Sequence, residues 1–154
     1  MKMKKTIYLC ATLATLFIAC QKENQPVTKS TRELLIEKKW YLKAITVTPA
    51  LMGITNLYDS LIPCQKDDIF TYRSTGKQEI DEGPLKCSTN KPQIDSSTSW
   101  KLENNKLITT ITFGTQIFRD TANVISIDDR NLQLSVSAKF GNDLYNYLYK
   151  YETR

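Results

Sequence analysis

The chain has 154 residues, 41% of them hydrophobic and 24% charged, the size and balance of one ordinary globular domain. Its net charge of +5 owes much to Lys2, Lys4 and Lys5, and the rest of the chain carries 18 basic against 16 acidic residues. That near-balance, with no clustered Lys or Arg, excludes a nucleic-acid footprint. In chain order, residues 1–19 come first and read as a targeting segment. Met1 to Lys5 is basic, and Ile7 to Ala19 is uncharged and mainly apolar. The run is shorter than the about 20 residues a membrane-spanning helix needs.

Phe17-Ile18-Ala19-Cys20 resembles a bacterial lipobox, with Phe17 where Leu is usual and Cys20 as the lipidated first residue of the mature chain. An uncleaved anchor holding a buried cysteine is the alternative. Gln21-Lys22-Glu23-Asn24 resembles the Lys-plus-acid export signal of surface lipoproteins in Bacteroidota. The resemblance implies a lipid-anchored protein of the outer membrane, surface-exposed or else facing the periplasm. A plain hydrophilic tether accounts for the same four residues. Residues 20–30 are polar, contain Pro26, and read as a flexible tether.

A single domain is expected over residues 31–154. Ser30-Thr31-Arg32-Glu33 is a capping-box pattern that opens a short helix, expected to run out at Lys38-Lys39. Trp40 to Val47 reads as a strand with Trp40, Leu42 and Ala44 on one face. Pro49 to Pro63 reads as a long irregular connection. Asp68 to Arg73, the turn at Ser74-Thr75-Gly76 and the polar run after it predict a β-hairpin. Residues 83–97 read as an exposed loop. Ser99 to Leu102, Leu107 to Phe113, Thr115 to Asp120, Asn123 to Ile127, Leu132 to Ser137 and Asp143 to Tyr151 predict further strands. About eight short strands behind one helix suggest an antiparallel barrel or sandwich.

The pattern of a short helix, Trp40, Cys64-x-x-Asp67-Asp68-x-Phe70-x-Tyr72, Gly76, Cys87 and Ser99-Trp100-x-Leu102 resembles the lipocalin-like domain of Bacteroidota lipoproteins. The resemblance covers about residues 31–151. It implies an all-β fold, an eight-stranded antiparallel up-and-down β-barrel with a short N-terminal helix. Lys38 departs from the Gly-x-Trp signature of true lipocalins, which place Gly there.

Cys10 leaves with the signal segment and Cys20 is acylated, so Cys64 and Cys87 remain, and in an exported domain they are expected to pair. With no histidine, two thiols do not complete a zinc site, and the commonest general base is missing. No phosphate loop or nucleophile elbow is present. The expectation is therefore a non-enzymatic protein without a cofactor or metal. Asp59-Ser60-Leu61 and Asp120-Thr121-Ala122 resemble the acceptor of Bacteroidota O-glycosylation.

Tyr145, Tyr147, Tyr149 and Tyr151 alternate on one face of the last strand. Rings there, with Trp40, Phe70, Tyr72, Trp100 and Phe113, either line a ligand cavity or fill a small barrel. Trp40, Phe70, Tyr72, Trp100, Phe113, Tyr145 and Tyr147 are the candidate lining. Two functions stay open: a binding module for a small apolar or glycan-like ligand, and an adaptor lipoprotein contacting an outer-membrane protein complex. An open aromatic-lined cavity favours the first, and a filled core with an exposed aromatic patch favours the second.

Overall fold

The computed structural model describes residues 28–154. The expected signal segment, the expected acylation site Cys20 and most of the expected tether lie outside the described residues.

Ser30 caps α1 (Thr31–Leu35): its hydroxyl accepts from the Glu33 N–H at 3.2 Å, and the Glu33 carboxylate accepts from the Ser30 N–H at 2.7 Å. The helix stops at Leu35, short of Lys38-Lys39, because Glu37 takes a left-handed φ of 57°. Its N–H then donates to the Tyr72 carbonyl, and its carboxylate accepts from the Ser74 N–H and the Arg73 guanidinium, both at 2.8 Å. These bonds, the Ser74 N–H foremost, hold the Glu37 carboxyl down at about 2. The helix is thereby stitched to the hairpin turn after Tyr72.

The strands are β1 (Trp40–Leu51), β2 (Ile54–Asn56), β3 (Ile69–Tyr72), β4 (Gln78–Asp81), β5 (Ile94–Asp95), β6 (Ser99–Glu103), β7 (Lys106–Phe113), β8 (Gln116–Ile127), β9 (Asn131–Phe140) and β10 (Asp143–Glu152). A 3-10 turn at Tyr58–Ser60 and α2 (Pro63–Lys66) stand between β2 and β3. Three expectations need correction. The strand from Trp40 runs on through Pro49 and folds back at Met52-Gly53 as β2, where an irregular loop was expected. The two short strands expected on either side of Thr121-Ala122 are one strand, because these residues keep their pairing with Ile108 and Leu107. The loop at 83–97 contains β5, which pairs with β4.

The sheet is antiparallel throughout, in the order β5-β4-β3-β1-β10-β9-β8-β7-β6, with β2 branching from β1. β5 and β6 are successive stretches of one segment, the first paired with β4 and the second with β7. Where they meet, Lys77 bridges Ser99, the Gln78 N–H donates to the Thr98 carbonyl at 2.9 Å, and the Trp100 N–H donates to the Gly76 carbonyl at 2.8 Å. The sheet thus curls until its ends touch, without a continuous ladder closing the wall.

The pairings give this curled sheet two unlike ends. At the base lie α1, the β3–β4 turn, the β6–β7 turn at Asn104-Asn105 and the β8–β9 turn at Asp128–Arg130. Asp129 there binds Lys29 at 2.7 Å and Lys38 at 3.2 Å. At the mouth lie the tips Met52-Gly53, Gly114-Thr115 and Gly141-Asn142. The base is filled. Leu35, Trp40, Tyr72, Trp100, Leu107, Leu132 and Leu134 form one buried cluster.

Candidate functional site

Alternation places the inward-facing residues. On β7 and β8 the facing pairs are Leu107 with Ala122, Thr109 with Asp120, and Ile111 with Phe118. On β9 and β10 they are Leu132 with Tyr151, Leu134 with Tyr149, and Val136 with Tyr147. The lowest pairs are packed into the base, whereas Ile111 and Phe118 are 37% and 52% exposed although they sit on the inner face. The wall therefore encloses a filled base and an upper part that is open beside β7 and β8, while Val47 and Tyr145 stay buried toward the mouth on the β1–β10 side.

Between them is a hollow of about 160 Å³. Leu107, Ala122, Leu134 and Val136 line its aliphatic side, and Tyr72, Tyr149 and Tyr151 its aromatic side. Gln78, Thr109, Thr121 and Asp120 supply its polar atoms. A second space of about 250 Å³ shares Gln78, Thr109 and Asp120, and runs past Phe70, Ile80, Ile111 and Phe118. The two spaces meet at Asp120, the one formally charged side chain lining either.

The tyrosine hydroxyls pay for this setting. Burial pushes the Tyr72 and Tyr151 phenols well above their usual range and raises Tyr149, with the neighbouring Tyr147 and the charge of Asp120 adding to the last. Gln78 Nε2 donates to the Tyr72 hydroxyl at 3.4 Å, a long bond. Tyr72 stands edge-on to Trp100 with centroids 5.5 Å apart, and Phe70 edge-on to Tyr151 at 5.6 Å.

Of the lining residues expected from sequence, Tyr72 borders the hollow and Phe70 the space above it. The others do not line either space. Trp40 is sealed in the base, its Nε1 donating to the Leu35 carbonyl at 3.0 Å. Lys38, which stands in place of the signature glycine, lays its ammonium 5.7 Å from the Trp40 ring and bonds Asp129. Trp100 is also core, donating to the Arg73 carbonyl at 3.0 Å under the Arg32 guanidinium. Phe113 is 79% exposed, because it ends β7 beside the tip glycine. Tyr145 and Tyr147 share the inner face of β10 but lie nearer the mouth than the hollow. The hollow uses Tyr149 and Tyr151, the half of the stripe nearer the base. Asp120 went unread as a lining residue; its signal was the two-residue alternation Phe118, Asp120, Ala122.

Larger clefts lie outside the wall. One of about 280 Å³ runs between β1 and α2, lined by Lys43, Lys66, Asp67 and Arg154 among others. Another of about 330 Å³ beside the 83–97 loop is lined by Asp68, Glu82, Lys91 and Asp95. Their charged walls mark them as solvated surface. Burial, then Glu82, Asp67 and Asp81, raise the Asp68 carboxyl to about 6.

The sign of that shift gives a measurable result. A carboxyl that holds its proton more tightly when folded loses the chain stability as pH rises from about 4 to about 6, and the loss persists above. Asp68→Asn removes the ionisation, so it is expected to raise stability at about pH 7.5 by about 1 kcal/mol, allowing for solvent contact, and to change little near pH 4. Thermal denaturation at the two pH values checks this. Equal effects at both would remove the account.

A family model described as the lipocalin-like domain matches residues 36–134. The chain belongs to the lipocalin-like domain family. No curated protein and no solved structure matches it. The matched span runs from the end of α1 to the middle of β9 and so includes Cys64, Cys87 and most of the hollow's lining. In this lipocalin-like domain the two cysteines are bonded, Cα to Cα 5.2 Å, joining α2 to the loop after β4.

Proposed function

We propose that this lipocalin-like chain is a lipid-anchored, non-enzymatic binding protein that takes a small apolar ligand through its mouth. The observation that supports it is the hollow between Leu107, Val136 and Tyr149, continuous with an open upper wall. Its lining is aliphatic and aromatic with a few convergent polar groups, the usual make-up of a small-molecule site. A volume near 160 Å³ is close to that of a cavity that accepts benzene, so a single ring or short chain fits better than a glycan. The anchor rests on Phe17-Ile18-Ala19-Cys20 and the tether behind it. The described chain begins beside the base, where Lys29 binds Asp129, so acylation at Cys20 would tether the domain from its base end. We place that membrane as the outer membrane of a Bacteroidota cell, from Gln21-Lys22-Glu23-Asn24.

A second reading, an adaptor for an outer-membrane protein complex, draws on the tips. Met52, Phe113, Phe140 and Leu144 are exposed there, and residues 46–56 and 110–118 carry no charge. Mass spectrometry of protein extracted from its host membrane tests both readings. The expected result is an acylated chain beginning at Cys20, with an added small mass in native conditions. An unacylated start elsewhere would end the anchor, and a co-purifying protein in place of a small mass would favour the adaptor.

A further inference from the structure

We propose that the ligand carries an amine, and that Asp120 is the counter-ion for its cationic group. This rests on the binding reading above and names its ligand class.

Asp120 stands where the hollow and the upper space meet, so any molecule passing from mouth to hollow passes its carboxylate. Neither space is lined by a Lys or Arg. Arg119, next in the chain, points to the opposite face of β8. Elsewhere Glu37 and Glu79 hold Arg73, Glu103 holds Lys101, and Asp129 holds Lys29 and Lys38. Among the described residues Asp120 forms no ion pair, and its charge is felt by the Tyr149 phenol. The interior is thus negative, with no cation of its own to balance it.

The surroundings suit an ammonium. Tyr149, Tyr151 and Phe118 line the two spaces, and an aromatic face attracts a cation through its negative quadrupole. Gln78, which lines both spaces with Asp120, gives one amide N–H to Tyr72 and keeps its amide oxygen as an acceptor. An anionic ligand, such as a fatty acid, would meet only repulsion here. The hollow's size then sets the rest: one ring, or a short chain, attached to the amine.

Two probes that share a phenylethyl body but differ in charge separate the possibilities, 2-phenylethylamine and 3-phenylpropionate. Each is titrated by NMR into the chain from residue 20 onward, which retains every described element. The amine is expected to bind at least about tenfold more tightly than the acid, shifting Val136 and Tyr149. Asp120→Asn is expected to erase the preference without lowering thermal stability, since the side chain is exposed. Asp143→Asn, at the β9–β10 tip, is expected to keep it. An acid that binds as well as the amine overturns the proposal and leaves the binding reading standing, as does a preference that survives Asp120→Asn. Silence of both probes overturns the two together.

Discussion

Trp40→Ala is expected to be the most damaging single substitution in the chain, costing about 3–5 kcal/mol. The side chain is fully buried, and six other residues, Leu35, Tyr72 and Leu132 among them, complete its cluster. Removing the indole leaves a cavity and also strips the Leu35 carbonyl of its partner at the end of α1. For a domain of this size the melting temperature should fall by roughly 10–20 °C. Trp40→Phe keeps most of the ring volume and loses the N–H with part of the fused ring, so it should cost distinctly less. Urea denaturation of the three proteins measures the order. A loss below about 1 kcal/mol for Trp40→Ala would mean that the base is not the anchor of the fold.

The paired substitution Cys64→Ala with Cys87→Ala is expected to cost about 2–4 kcal/mol while leaving the sheet intact. Neither cysteine belongs to the buried cluster, so the apolar core does not depend on them. The bond closes 23 residues of chain around the β3–β4 hairpin, and its loss frees the unfolded chain more than it loosens the folded one. A second contact backs the bond up. Asp67 accepts from the Leu85 N–H at 2.8 Å, and Gly83, at φ +63°, lies so close that a Cβ there would come 2.5 Å from the Asp67 carbonyl oxygen. The far-ultraviolet spectrum should therefore stay unchanged while the denaturation midpoint falls and the m-value rises. An unmoved midpoint, or free thiols at both positions in the exported protein, would show that the bond does not stabilise the native chain.

Particular residues explain what could be read in advance. The β3–β4 hairpin was legible because Gly76 sits between two alternating runs, and β9 because Leu132, Leu134 and Val136 alternate cleanly. The capping box at Ser30 was legible because both partners lie within one turn. Local sequence misled where tertiary pairing overrode it. The stretch from Pro49 read as irregular, yet β10 and β2 hold it in a strand that turns only at Met52-Gly53. Thr121 and Ala122 read as a gap, yet β7 keeps them in register. The site was harder still. Alternation says that Tyr145, Tyr147, Tyr149 and Tyr151 share a face, but not which end of the sheet is plugged. That depends on α1 and on Trp40 and Trp100 reaching the base from distant positions. Asp120 became visible only once the two half-strands were joined into β8.

The antiparallel order of the sheet also sets the sequence in which it can be assembled. From β6 to β10 every strand pairs with the next through a short turn, so that meander can form from contacts between near neighbours in the chain. The pairing of β1 with β10 is different: Tyr41 must meet Glu152 across almost the whole described chain. Such a long loop carries the largest closure entropy in the molecule, and contacts of that span slow folding. The C-terminal meander is thus the nucleus expected from topology, and the N-terminal third docks onto it last. Opening should run in reverse, so hydrogen exchange ought to release β1 amides before those of β9, and the rim opposite the base would widen without the meander coming apart.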